Sequence, residues 1–317
     1  MPLQFGIQES IRIKNMSNDV NISYNPKYFQ DMVSILKGFW AKQGCAIIES
    51  YDQNVGAGTL APYTALRITK PEPWRICQVQ YCRRPTDGRF GSNPNRASAY
   101  YQMQIILKPV PENIQELCLQ SLEMIGISRK EHDIKFMEDD WSNPSIGASG
   151  LGYELWCDGM EITQFTYMQK VGGIDIEPAL VPGEITYGLE RLAMYIQDKD
   201  NYLDLDYCEG VKYGDVNSQA VEKEECEYYQ NYQEDTAFLK QLFAHSLENA
   251  KKLADKDMKQ VAYEQCLIAS HTLNVLDARH ELSQTERKNW ILEIREVVAR
   301  VVWLFGYSWH QIRFLVS

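Results

Sequence analysis

Apolar residues in "YFQDMVSILKGFWAKQG" (28–44) recur at helical spacing: Phe29, Met32, Val33, Leu36, Phe39 and Trp40. Gly44 suits the C-terminal cap. "CAIIES" then reads as a strand, and "YDQNVGAGTLAP" (51–62) as a Gly-rich loop. "WRICQVQYCR" (74–83) and "AYYQMQIILK" (99–108) read as an outgoing and a returning strand. "PENIQELCLQSLEMIG" (111–126) is a helix by its period, with Pro111 in the first turn and Gly126 beyond the end. In "YELWCDGMEITQFTYMQ" (153–169), Asp158-Gly159 between two runs signals a tight hairpin. "ITYGLERLAMYIQ" (185–197) leads into a helix. The acidic, tyrosine-rich "VEKEECEYYQNYQED" (221–235) reads as a linker, and from about 236 the pattern is helical. The expected fold is therefore α+β: an antiparallel β-sheet flanked by helices, followed by a C-terminal all-helical domain.

Composition narrows the class. A hydrophobic content of 44% over 317 residues is ample for a packed core. The eight cysteines form no C-x-x-C pair and have no zinc-like spacing, so reduced, mostly buried thiols in a cytoplasmic protein are expected. No apolar run approaches the roughly 20 residues that cross a bilayer. The first residues lack the apolar stretch of a secretory signal. Met16 is an alternative start, and residues 1–22 are expected to be an N-terminal extension. The net charge of −11 argues against broad nucleic-acid binding, which needs surplus Lys and Arg.

Against that charge, "CRRPTDGRFGSNPNR" (82–96) gathers four arginines at the tip of a long hairpin. It is either a solvated hairpin end or a polyanion site, since guanidinium forks bind phosphate bidentately and Gly88 and Gly91 permit close approach. On the returning strand, alternation puts Tyr100, Gln102 and Gln104 on one face and Tyr101, Met103 and Ile105 on the core face. The first set suits a small polar ligand, or else a mixed edge strand. If Cys157 and Met160 flank the Asp-Gly turn, Trp156 lies opposite Glu161 and Glu154 opposite Thr163. Glu154 and Glu161 then share a face. They either hold a hard cation such as Mg²⁺ or stand exposed on a solvated sheet. The five histidines lack partners at ligand spacing.

These segments resemble class II aminoacyl-tRNA synthetases. "CRRPTDG…NPNRASAYYQ" is similar to their motif 2, although Pro85 stands where a Glu is usual. "YGLER" (187–191) is similar to motif 3, and the first helix and strand to motif 1, which pairs subunits. "VGAGT", "NIQEL", "GMEITQFTY", "VGGI" and "LDAR…TER" extend the resemblance, from about residue 28 to 300, to the α-subunit family of bacterial two-subunit glycine–tRNA ligases.

The resemblance implies a catalytic (adenylation) domain over about 23–210 and a helical domain over 211–317 that docks a β subunit. It implies an α₂β₂ assembly built on an α dimer, with tRNA(Gly) bound mainly by β. It implies that glycine and ATP give glycyl-adenylate and pyrophosphate, and that the glycyl group is then transferred to the terminal adenosine of the tRNA. The roles it implies are Arg83, or alternatively Arg84, on the α-phosphate and Tyr100 on adenine. Arg191 with Arg96 would take the γ-phosphate, and Glu154 with Glu161 would take Mg²⁺. For glycine it implies Glu184 on the ammonium and Trp141 as the wall that excludes larger side chains. Thr59, Gln102 and Gln104 would complete the polar contacts. Gln164, three residues after Glu161, is a weaker candidate, since simple parity turns it away from the site. A silent assembly subunit and an adenylating enzyme for another small acid are the alternatives.

Overall fold

The computed structural model describes residues 24–316 together with Ile11–Arg12 and Asn21–Ile22, which pair as two short strands. Side chains are described from Tyr24 to Gly306. Most of the expected extension 1–22 and the final "SWHQIRFLVS" side chains lie outside that range.

The strands of the main sheet are β1 (Ala46–Ile48), β2 (Trp74–Arg83), β3 (Ala99–Lys108), β4 (Ile134–Asn143), β5 (Ala148–Cys157), β6 (Met160–Val171), β7 (Ile174–Asp175) and β8 (Gly183–Gly188). Their order across the sheet is β1-β2-β3-β8-β6-β5-β4, with β7 beside β6. Every pairing is antiparallel except β1 with β2. The longer helices are α1 (Phe29–Lys42), α2 (Ile114–Met124), α3 (Leu189–Gln197), α4 (Gln219–Cys226), α5 (Thr236–Asp255), α6 (Lys259–Ala278) and α7 (Gln284–Val316). Among the described residues no helix is long and apolar enough to cross a membrane. All eight cysteines are free, and seven are buried.

Each sheet face has its own core. On one face Met103, Ile105, Ile185 and Tyr187 pack against Met32, Leu36 and Trp40 of α1 and against Leu122 of α2. On the other, Ile76, Ile106 and Met168 share a core with Phe243 of α5, Tyr263 and Leu267 of α6, and Ile294 and Val298 of α7. Leu60 and Ala61 of the Gly-rich loop belong to the same cluster. The Tyr263 hydroxyl also donates to the Leu60 carbonyl at 2.8 Å. The helices thus cover one end of this second face, and its other end remains open as a cavity.

Three segments depart from the sequence reading. β4 and β8 are strands that its apolar pattern did not mark, and β8 lies at the centre of the sheet. The acidic stretch expected as a linker is instead α4 followed by a π-helical turn over Glu227–Asn231.

Candidate active site

The second sheet face supplies a polar floor. Register aligns Gln78, Gln104, Thr186, Gln164 and Glu154 in one row across five strands. The next row runs Glu184, Thr166, Gly152 and Asp139. Alternation on β3 and β8 sends the intervening apolar side chains into the opposite core, which is why the polar positions converge. The cavity over this floor holds about 400 Å³ and is lined by Thr59, Arg84, Arg96, Tyr100, Gln102, Trp141, Glu154, Glu161, Gln164, Glu184, Glu190 and Arg191.

Arg83 and Arg84 part company at the end of β2. The strand is regular, with Cys82 opposite Tyr100 and Arg83 opposite Ala99. Arg84 therefore faces the cavity. Its guanidinium lies 5.0 Å from the Tyr100 ring centroid, and its Nε donates to the Gly56 carbonyl at 2.9 Å. Arg83 turns away and pairs with Glu225 at 2.6 Å. It lines only a smaller neighbouring cavity of about 280 Å³. The geometry thus brings Arg84, not Arg83, beside Tyr100 in the larger cavity.

The hairpin after β5 holds Asp158 at φ 48° and Gly159 at φ 91°, the left-handed pair of a tight two-residue turn. Cys157 pairs with Met160 and Trp156 with Glu161, as alternation demands. A bulge at Ile162 then shifts the register by one, so Glu154 faces Gln164 rather than Thr163. The same shift turns Gln164 into the cavity, where its amide donates to Asp139 Oδ2 at 3.1 Å. Glu154 and Glu161 both line the cavity. The Trp156 indole donates to Glu154 Oε2 at 2.8 Å, and Arg191 donates to Glu161 Oε2 at 3.1 Å. The other oxygen of each carboxylate is left without these partners, and hard oxygens of this kind are what could hold a cation such as Mg²⁺.

Glu184 is buried at the floor. Its Oε1 accepts from Thr59 Oγ1, from Gln104 Nε2 and, at 3.4 Å, from Thr186 Oγ1. Its Oε2 is buried without a partner. Burial pushes the carboxyl above its ordinary range, and the three donors pull it partly back. A buried carboxylate with one oxygen unmatched is costly unless a cation completes it. Gln104 lies beneath Glu184 rather than in the cavity lining. Gln102 Oε1 accepts from the Gly58 backbone N–H at 2.6 Å and so holds the Gly-rich loop that carries Thr59.

Asp139 and Glu190 are among the lining residues that escaped the sequence reading, and Gln164 stood in it only as a candidate turned away by parity. Asp139 sits on β4, whose strand character was missed. Gln164 was hidden by the bulge. Glu190 neighbours Arg191 in "YGLER", which was the available signal. Its Oε1 accepts from the Tyr213 hydroxyl at 2.6 Å and the Tyr101 N–H at 2.8 Å, and its Oε2 has no partner. Burial raises its carboxyl to about 7. His132, expected to stand alone, meets Asp158 at 2.7 Å and closes the hairpin turn outside the cavity.

Residues 29–308 match the family model of the glycyl-tRNA synthetase alpha subunit. The glycine–tRNA ligase alpha subunit of Coprothermobacter proteolyticus is 48% identical over 278 residues, covering 87% of this chain and 94% of that protein. Two solved structures of pyrrolysyl-tRNA synthetase from Desulfitobacterium hafniense superpose with a TM-score of 0.40 at 11% identity, over 58% of this chain and 76% of theirs. By the extent of the family match and the identity to its relative, the chain belongs to the glycyl-tRNA synthetase alpha-subunit family.

Proposed function

We propose that the cavity on the second sheet face is the adenylation site of a glycine–tRNA ligase, where glycine and ATP give glycyl-adenylate and pyrophosphate. The observation that carries this reading is Glu184, a buried carboxylate with an unmatched oxygen, in the same cavity as Arg84, Arg96 and Arg191. An amino acid's ammonium completes Glu184, and a triphosphate completes the arginines.

The glycine carboxylate attacks the α-phosphorus of ATP, and pyrophosphate leaves. No side chain need remove a proton, because glycine arrives as a carboxylate. Catalysis then rests on placement and on charge stabilisation. Arg84 holds the α-phosphate and stabilises the charge that grows on it. Tyr100 offers its ring to adenine, and Arg191 and Arg96 take the outer phosphates. Glu154 and Glu161 would hold Mg²⁺, which would offset the negative charge of the triphosphate. Trp141 closes the space beside the α-carbon and rejects larger side chains. The terminal adenosine hydroxyl of tRNA(Gly) then attacks the carbonyl carbon of the adenylate, takes the glycyl group and releases AMP.

The chain's acidity supports a division of labour in which a β subunit holds most of the tRNA. The α5–α7 helices of the 211–317 region are the proposed β-docking part, and α1 with β1 the proposed seam of an α dimer within α₂β₂. Glycine-dependent ATP–pyrophosphate exchange by α with its β partner tests the reading. Exchange with glycine but not alanine or serine is expected, and its absence with all three would overturn the assignment.

A further inference from the structure

The acidic segment 219–231 is not used by the adenylation reading, yet it grips the arginine loop along its length. Glu222 is buried, and both its oxygens accept from the Ser98 backbone N–H at 3.0 Å. Its Oε2 also lies 2.8 Å from Ser98 Oγ. Glu225 Oε2 lies 2.7 Å from the same hydroxyl, and Glu225 Oε1 holds Arg83. The Ser98 carbonyl accepts from the Arg84 N–H at 2.6 Å. Farther out, Gln230 Nε2 donates to the Pro85 and Gly88 carbonyls at 3.2 and 3.0 Å. The contact is close enough that a Cβ at Gly88 would overlap Cys226 Sγ.

We propose that Glu222 and Glu225 are positioning residues for adenylation, sorting the adjacent arginines so that only Arg84 faces the nucleotide. Two guanidinium groups in sequence compete for one phosphate. Glu225 removes Arg83 from that competition by pairing with it on the far side of the strand. Glu222 fixes the backbone of Ser98, which bonds Arg84 on one side and precedes Tyr100 by two residues. Both cavity groups thus take their placement from a carboxylate that does not itself line the cavity. A loop with two prolines and two glycines has no regular structure to do this for itself.

The inference rests on the adenylation reading, and the experiment separates the two. ATP–pyrophosphate exchange is measured for the α chain with its β partner, in wild type, Glu222→Gln, Glu225→Gln, Arg83→Ala and the Arg83→Ala/Glu225→Gln double variant. Misplacement of the reacting groups should raise the KM for ATP about tenfold or more in each glutamine variant. The KM for glycine and the thermal midpoint should hold. Removing Arg83 from the Glu225→Gln background should return the ATP KM toward wild type, which a merely structural role would not produce. Should Glu222→Gln fail to fold, Glu225→Gln and its double variant carry the test. Glutamine variants that leave the ATP KM unchanged, or that raise both KM values together, overturn the inference alone. A wild-type complex without glycine-dependent exchange overturns the adenylation reading and the inference with it.

Discussion

Glu154 faces Gln164 across the β5–β6 ladder, one residue past the partner that unbroken alternation would give it. The bulge at Ile162 turns Gln164 and Thr166 to the same side as Glu161, so one strand presents three polar side chains to the cavity. A single extra residue therefore enlarges the polar floor without another strand.

Arg84 and Arg83 should separate sharply on mutation. In the proposed site, Arg84→Ala removes the donor that would meet the developing charge and should lower kcat for adenylation on the order of 10²–10³-fold. Arg83→Ala, on the far side of β2, removes no donor from the larger cavity and should cost no more than about tenfold. Single-turnover adenylate formation measures both. Equal losses would place the two guanidinium groups in the same role.

In the proposed site, Glu184→Gln removes the charge that would meet the ammonium. Hydrogen bonds to charged groups are worth about 1.5–3 kcal/mol, so the KM for glycine should rise roughly 10–100-fold. The KM for ATP should stay close to wild type. Burial raises the Glu184 carboxyl, and only its ionised form pairs with an ammonium. The wild-type KM for glycine should therefore increase as pH falls through that raised value. This acid limb should be missing from Glu184→Gln. An acid limb retained in the variant would assign it to another group.

Glu190 predicts a pH dependence of stability. Burial lifts its carboxyl from 4.5 to about 7. Its folded value exceeds its unfolded one, so its contribution is fully present below about 4.5 and is lost as pH rises through about 7. At 1.36 kcal/mol per unit the span is about 3 kcal/mol. Thermal midpoints of Glu190→Gln should fall less than those of wild type between pH 5 and pH 8. Parallel curves would sink the assignment.

Gly152 has no room for a side chain. A Cβ there would overlap the Phe165 carbonyl oxygen, which is backbone and cannot swing aside. Gly152→Ala should destabilise the protein by about 3 kcal/mol or more, at the upper end of overpacking costs. It should also impair exchange, because β6 carries Glu161 and Gln164. Chemical denaturation read beside activity checks both.

What could be read from sequence follows from burial. Helix α1 and the β2–β3 strands each have one apolar face, so their periods show. Strand β8 does alternate Glu184, Ile185, Thr186 and Tyr187, but over only six residues that run straight into helix α3, so the helical period of "LERLAMYIQ" masks it. Edge strand β4 mixes exposed Met137 with Glu138 and Asp140, so its period is also blurred. Gln102 was legible as a neutral amide beside Tyr100 on a strand face, an odd choice for a solvated one, whereas Glu184 followed only from the family resemblance. The inward turn of Gln164 was not legible, because a bulge leaves no mark in composition. Nor was the pairing of Arg83 outside the larger cavity with Glu225, 142 residues farther along the chain.

The hydrogen bond from Tyr263 to the Leu60 carbonyl lies inside a core common to the Gly-rich loop and the last three helices. Such a core gives the molecule no seam. A chain cut near residue 211 would leave Ile76, Ile106 and Leu60 facing water and the wall that carries Thr59 without its backing. The helices are therefore not an accessory that can be trimmed from a working catalyst. Heat or denaturant should take the cavity and the helices apart in one step.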